Sequence, residues 1–235
     1  EKTKKEYFGR VRAILRKEIS ASNTTDSIRA FAMPILRYGF GILKWTQSEL
    51  RAIDCKTRKI LHKHKFHHPR SDLHRLYLSR NKGGRGLIGA EDCYRQECTK
   101  LASYLHANTE NDPLVHIVQT AERKKKYGIM AYLAGEQRTG STEETDNAHL
   151  EGLKKMKMHG DYFRQRDEAV NVDIKKSEEW LKQSHLRFET ESLLCAAQEQ
   201  TLATKYMTSK IWGNGNDTKC RLCKEQNETV HHIVS

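Results

Sequence analysis

The chain is 235 residues long, 37% hydrophobic and 31% charged, with a formal net charge of +12. That balance supports one or two domains with modest cores and argues against a membrane protein, since no apolar run is long enough to span a bilayer. Glu1-Lys2-Thr3-Lys4-Lys5 has no apolar stretch behind it and does not read as a signal peptide, and six scattered cysteines fit a reducing compartment better than a disulfide framework.

Helical periodicity dominates from the start. Tyr7, Phe8, Val11, Ile14, Leu15 and Ile19 recur every three or four residues and predict one apolar stripe on an otherwise basic helix that ends near residues 20–23. A second helix is expected from Thr25 or Asp26, carrying Ile28, Phe31, Ala32, Ile35, Leu36, Phe40 and Leu43, with a kink or break at Pro34. Thr46-Gln47-Ser48-Glu49 has the capping-box form and predicts a third helix with Leu50, Ile53, Thr57, Ile60, Leu61 and His64 inward. Its other face holds Arg51, Arg58, Lys59 and Lys63, and His67-His68-Pro69 is expected to end it. Three such helices predict a compact bundle over residues 1–68 with a basic flank.

A short apolar piece (Leu73, Leu76, Tyr77, Leu78) leads into Asn81-Lys82-Gly83-Gly84-Arg85-Gly86-Leu87. Backbone amides of such a turn can approach a phosphate, but the Gly-Lys-Ser/Thr of a P-loop is missing and each glycine reads as plain loop. Ala90, Cys93, Tyr94, Cys98, Leu101 and Leu105 mark a helix over 90–105, and Asp112-Pro113 starts one that ends in Arg123-Lys124-Lys125-Lys126. Residues 69–134 are thus a basic loop followed by a helical linker region. Residues 135–147 carry no large apolar side chain and predict a flexible connection. Helical pattern resumes over 148–215, with a long segment from about Val172 to Ile211.

Charge is concentrated. Between residues 51 and 85 eleven lysines and arginines stand against two aspartates, a net +9, and His62, His64, His67, His68 and His74 lie in the same stretch. Such a surface neutralises phosphates and releases counterions, so nucleic acid is favoured over anionic lipid or an acidic protein. No carboxylate cluster accompanies the histidines of 62–68, which read as basic surface rather than as a metal site.

At the C-terminal end Cys220-x2-Cys223 is followed by Thr229-Val230-His231-His232-Ile233. Two thiolates from a tight turn and one returning histidine make three quarters of a tetrahedral zinc site over residues 216–235. Spacing alone leaves His231 and His232 equivalent, and ordinary free thiols are the competing reading.

The stretch 32–42 (Ala-Met-Pro-Ile-Leu-Arg-Tyr-Gly-Phe-Gly-Ile), with Trp45, Asp54, Lys56-Thr57-Arg58, His68-Pro69, Arg75-Leu76-Tyr77 and Gly83-Gly84-Arg85-Gly86-Leu87, resembles the region after the palm in reverse transcriptases of non-LTR (LINE-type) retrotransposons. Trp180-Leu181, Glu189-Thr190-Glu191 and 196–200 resemble the segment before their C-terminal CCHC zinc knuckle, and Cys220, Cys223 and His232 resemble the knuckle itself. The resemblance covers most of the chain and is weakest over 108–172. It implies an all-α fold: a thumb-like three-helix bundle, a helical linker region and the start of a knuckle, excerpted from a longer polyprotein whose fourth ligand falls just past Ser235.

By that resemblance the metal ligands are Cys220, Cys223 and His232, holding zinc in an incomplete site, and magnesium belongs to the parent polymerase and not to these residues. The parent is an RNA-directed DNA polymerase that copies element RNA at a nicked DNA target, in the nucleus and cytoplasm, with the thumb gripping the template–primer duplex beside the upstream palm domain. Candidate nucleic-acid contacts are Arg37, Lys44, Arg51, Arg58, Lys59, Lys63, His68, Arg75 and Arg85. The aromatic-x-Asp-Asp element that holds the catalytic metals of a polymerase is absent, so no catalytic residue is expected and the chain by itself should not polymerise. The rival expectation is a retroelement-derived helical module whose cations meet an acidic protein.

Overall fold

The computed structural model describes residues 1–125, 128–133, 142–183, 185–211, 213 and 217–234, with the backbone alone at 211 and 234. The described residues are mostly helical and form no strand, only isolated bridges, which agrees with the all-α expectation. None of their helices is long and apolar enough to cross a membrane.

Helix α1 (Lys2–Leu15) buries Tyr7, Phe8, Val11 and Leu15, the expected stripe, and stops before Ile19. Helix α2 (Ala21–Ser27) starts earlier than expected because Ser20 caps it, accepting from the Asn23 amide. The break at Pro34 takes a specific form. Proline has no N–H for the carbonyl four residues back, and the chain widens into a π turn over Ile28–Ala32, in which the Met33 amide donates to the Ile28 carbonyl, before α3 (Met33–Arg37). Ile28, Ala32, Met33 and Leu36 stay on one buried face through the change of pitch.

Helix α4 (Gln47–Lys63) opens on the predicted capping box: Glu49 N–H donates to Thr46 Oγ1 at 3.3 Å and Thr46 N–H to Glu49 Oε2 at 3.1 Å. It ends at Lys63, ahead of the proline. Lys65 takes a left-handed conformation (φ 59°), the Phe66 amide donates back to Leu61 O, and Phe66 is thereby turned into the core against Phe188. Core demand for Phe66, not Pro69, sets this terminus.

Helix α5 (Leu73–Tyr77) leads into the glycine turn, where the Arg85, Gly86 and Leu87 amides donate to Arg75, Leu78 and Leu76 carbonyls. A Cβ on Gly84 would sit 2.0 Å from Leu78 O, so this glycine serves a close approach of backbone to backbone. The turn is a structural clasp with its amides spent internally.

Helices α6 (Ala90–Asn108) and α7 (Pro113–Arg123) occupy the expected places. Asp54 of α4 caps α6 by accepting from the Ala90 and Glu91 amides, and Asp112 caps α7. Helix α8 (Thr142–Lys155) begins inside the expected flexible connection. Residues 142–147 are therefore helical, and buried Asp146 accepts from the Ser79 amide; residues 135–141 lie outside the described residues.

The long segment expected over 172–211 is made of short helical pieces: α10 (Ile174–Ser177) and α11 (Glu179–Gln183), preceded by α9 (Asp161–Glu168), then α12 (Phe188–Gln198) and a π turn at Met207–Ile211. Left-handed Gln200 (φ 58°) closes α12, with the Thr201 amide donating to Ala196 O. Helix α13 (Val230–Val234) ends the described chain. One core joins α1 through α6, taking Leu76, Leu87, Ala90 and Cys93 from beyond residue 68 and Phe188 from α12, while Leu78, Leu153 and Phe163 form a second, small cluster.

Candidate metal centre and basic helix face

Around Cys220 the backbone folds back on itself: Cys220 N–H donates to Gln226 O and Glu228 N–H to Thr218 O, both 2.8 Å, with Lys219 bridged to Asn227. Lys224, left-handed at φ 62°, tightens the turn so that both thiols emerge on one side. Glu228 is buried and accepts from the Arg221 amide and guanidinium and from the Lys205 amide. Arg221 holds its carboxyl down at about 2.

Thr229 then caps α13 by accepting from the His232 amide at 3.1 Å, and this places His232 Nε2 3.2 Å from Cys223 Sγ. One ligand atom each from Cys220, Cys223 and His232 lies within 4.8 Å of the others, so the three could hold one metal ion. His231, one residue earlier on the same helix, faces a cleft instead. The Leu222 amide points at Cys220 Sγ (3.4 Å), and the Gln226 and Glu225 amides pull the Cys223 thiol down to about 7. Amide donors that favour thiolate suit a soft or borderline cation, which the two-sulfur, one-nitrogen set also selects.

The expected nucleic-acid residues do not form one face. Arg75 and Arg85, expected to meet nucleic acid, are instead buried, each 1% exposed. Arg85 Nε meets Glu191 at 2.9 Å with its guanidinium 4.1 Å over Phe66, and Glu191 also takes Arg80 at 2.8 Å. Arg75 pairs with Glu199 at 3.5 Å and donates to the Gly83 and Cys195 carbonyls. These arginines fasten the glycine turn to α12 and have no path to a phosphate.

Arg58 is half-buried and donates to the Tyr77 hydroxyl at 2.9 Å. Arg37 is held by Glu97 (3.3 Å) and Cys93 Sγ (3.5 Å). His68 is half-buried, burial lowering its pKa, and its Nδ1 accepts from the Arg70 amide. Arg51 is exposed, 3.3 Å from Glu91. Lys44, Lys59 and Lys63 are exposed.

The structure adds cations that the sequence reading left out. Lys4 meets Glu49, Lys56 Nζ lies 4.5 Å over the Phe8 ring, and Arg12 and Arg16 lie near Lys63 around His64. Starts thus face starts and ends face ends, so α1 and α4 run side by side in the same direction. Between them lies a groove of about 460 Å³ with Lys4, Lys5 and Arg12 on one bank and Lys56 on the other, Glu1 and Glu49 at the end where both helices start, and small Ala52 in its lining. Lys59 and Lys63 continue the α4 bank at helical spacing and Arg16 continues that of α1. Sequence marks α1 as basic, but only packing shows that its cations face those of α4.

Nor is the histidine run simply a basic surface. His67 is 2% exposed, stacked on His62, and burial with Arg85 nearby pushes its pKa down to about 3. Unfolded histidine takes its proton near pH 6.5, so the contribution of His67 to stability is present above that value and is lost as pH falls toward 3. Between pH 7 and 5 this amounts to about 2 kcal/mol. Asp54, pushed up to about 6 by burial, works in the opposite direction, so wild type is to be compared with His67→Gln. Urea midpoints should show the variant gaining on wild type by that amount over this interval; parallel pH profiles would refute a neutral buried His67.

Comparison of the chain with family models, with curated proteins and with solved structures yields no match.

Proposed function

We propose that this chain is the nucleic-acid-binding thumb and linker portion of a non-LTR retrotransposon reverse transcriptase, gripping a template–primer duplex of RNA and DNA and carrying the start of a zinc knuckle with three of its ligands. The observation that carries the reading is the pair of cationic banks along α1 and α4, which run in one direction with a groove between them. Two parallel rows of lysine and arginine, with Lys5, Arg16, Lys56, Lys59 and Lys63 exposed and Lys4 and Arg12 half-buried, can follow one phosphate backbone without reading bases. The motif resemblance supports the family, and the Cys220–Cys223–His232 cluster is compatible with zinc at the knuckle. Zinc bound there is structural: it would tie α13 to the Cys220–Cys223 turn. Magnesium and polymerisation belong to the palm of the parent protein, which supplies the aspartates absent here.

A second reading, a helical protein-interaction module, draws on exposed Tyr38, Ile42 and Leu43 in the segment between α3 and α4.

Anisotropy of a labelled RNA–DNA hybrid separates the two. Binding should weaken steeply with salt for unrelated sequences, and the triple variant Lys56→Glu/Lys59→Glu/Lys63→Glu should lose about tenfold or more in affinity with a shallower salt slope. These side chains are exposed, so circular dichroism should stay unchanged. Undiminished binding by a folded variant would remove this face, and salt-dependent binding to an acidic protein with none to the hybrid would favour the interaction module.

A further inference from the structure

Beside the metal centre, walled by α9, α11, α12, the π turn at 207–211 and the start of α13, lies an open cleft of about 850 Å³. We propose that it is a stacking site for an unpaired nucleobase of a single-stranded segment, a role that rests on the nucleic-acid reading above and adds a second, base-dependent contact to it. Its size falls within the range of small-ligand clefts, about 300–1,000 Å³.

Three aromatic residues, Tyr162, Trp180 and Tyr206, join Met158, Leu194 and Met207 in a lining that also carries polar side chains, and aromatic faces are what an unstacked base needs. Two amides supply an edge. Gln198 gives its oxygen to buried Arg75, which leaves its NH2 as a donor, and Gln165 gives its NH2 to Asp161, which leaves its oxygen as an acceptor. Donor and acceptor in one lining suit the mixed edge of a base better than an aliphatic peptide.

Charge around the cleft points the same way. Exposed Lys157, Lys182 and Lys210 stand within three residues of lining positions Met158, Trp180 and Met207. Of the neighbouring acids, Glu178, Glu199 and Glu228 are buried and held by Arg166, Arg75 and Arg221. Asp161 is bonded to Arg164 and Gln165, and Glu179 to Gln183. Three exposed lysines thus stand against two accessible carboxylates, Asp161 and Glu179, and it is these lysines that a base arriving with its phosphates would meet. Thr229, Val230 and His231 of the cleft wall belong to the segment that also carries His232, so the metal centre fixes one side of the site.

The test compares a thymidine oligonucleotide with an abasic deoxyribose-phosphate strand of equal length, bound to the full chain in low salt. Backbone charge is the same in both, so the proposal requires the thymidine strand to bind about tenfold more tightly, the scale of one stacked base. Leu194→Lys, at a partly exposed lining position, should cancel this preference while leaving abasic binding intact; it adds a positive charge, so loss of attraction cannot explain the change. Equal affinity of wild type for both strands overturns the cleft proposal and leaves the basic groove standing. Failure to bind either strand or the hybrid overturns the nucleic-acid reading itself. Quenching of Trp180 by an apolar peptide, with no preference for thymidine, assigns the cleft to a protein segment and overturns the proposal as well.

Discussion

Replacing Glu191 by glutamine is expected to lower the unfolding free energy by about 3–5 kcal/mol, the scale on which removing one partner of a buried ion pair destabilises a protein. Glu191 is 1% exposed and is shared by two arginines, Arg85 at 2.9 Å and Arg80 at 2.8 Å. The variant leaves the Arg85 guanidinium inside the core with no carboxylate. Against a total stability of roughly 5–15 kcal/mol, the loss should move the urea midpoint to a markedly lower concentration.

Two controls locate the cause. Glu18→Gln, which breaks the exposed pair with Arg187, should change stability by less than about 1 kcal/mol. Glu191→Leu combined with Arg85→Met should recover part of the deficit, because the buried Arg85 charge leaves together with its partner, while Arg80, less deeply buried, keeps only its bond to the Leu181 carbonyl. A change below about 1 kcal/mol for Glu191→Gln would mean that Arg85 reaches water, contrary to its burial.

Metal binding is the second large effect. Cobalt titrated into the reduced chain should report sulfur-to-metal charge transfer from Cys220 and Cys223, with His232 as the third protein ligand. Closed four-ligand structural sites bind with about 10–16 kcal/mol, so loss of one thiolate from a three-ligand set should cost a few kcal/mol, about a hundredfold or more in affinity. Cys220→Ser, Cys223→Ser and His232→Ala should each show it. His231→Ala should not, since that ring faces the cleft. Because the metal displaces thiol protons, affinity should fall as pH drops. Equal metal content in Cys220→Ser and wild type would return both cysteines to ordinary thiols.

What the sequence determined by itself is local. The Thr46–Glu49 capping box, the start of α7 at Asp112-Pro113, the disruption at Pro34 and the turn that carries Cys220 and Cys223 are each settled by hydrogen bonds within a few residues, so the residue types themselves carry the information. Tertiary structure decided whatever depends on partners far along the chain. Arg75 and Arg85 look like phosphate ligands in a basic segment, and only the arrival of Glu199 and Glu191, the latter 106 residues from Arg85, makes their burial tolerable. The same holds for Phe66, drawn inward by Phe188 at the cost of an early end to α4. His231 and His232 are equivalent by spacing, but adjacent positions on a helix point about 100° apart, and the start of α13 at Val230 turns one ring to the thiols and the other to the cleft. The basic groove belongs to this second class: its two banks come from separate stretches of the chain, Lys4 to Arg12 and Lys56, and periodicity within one helix cannot say which helix lies beside it.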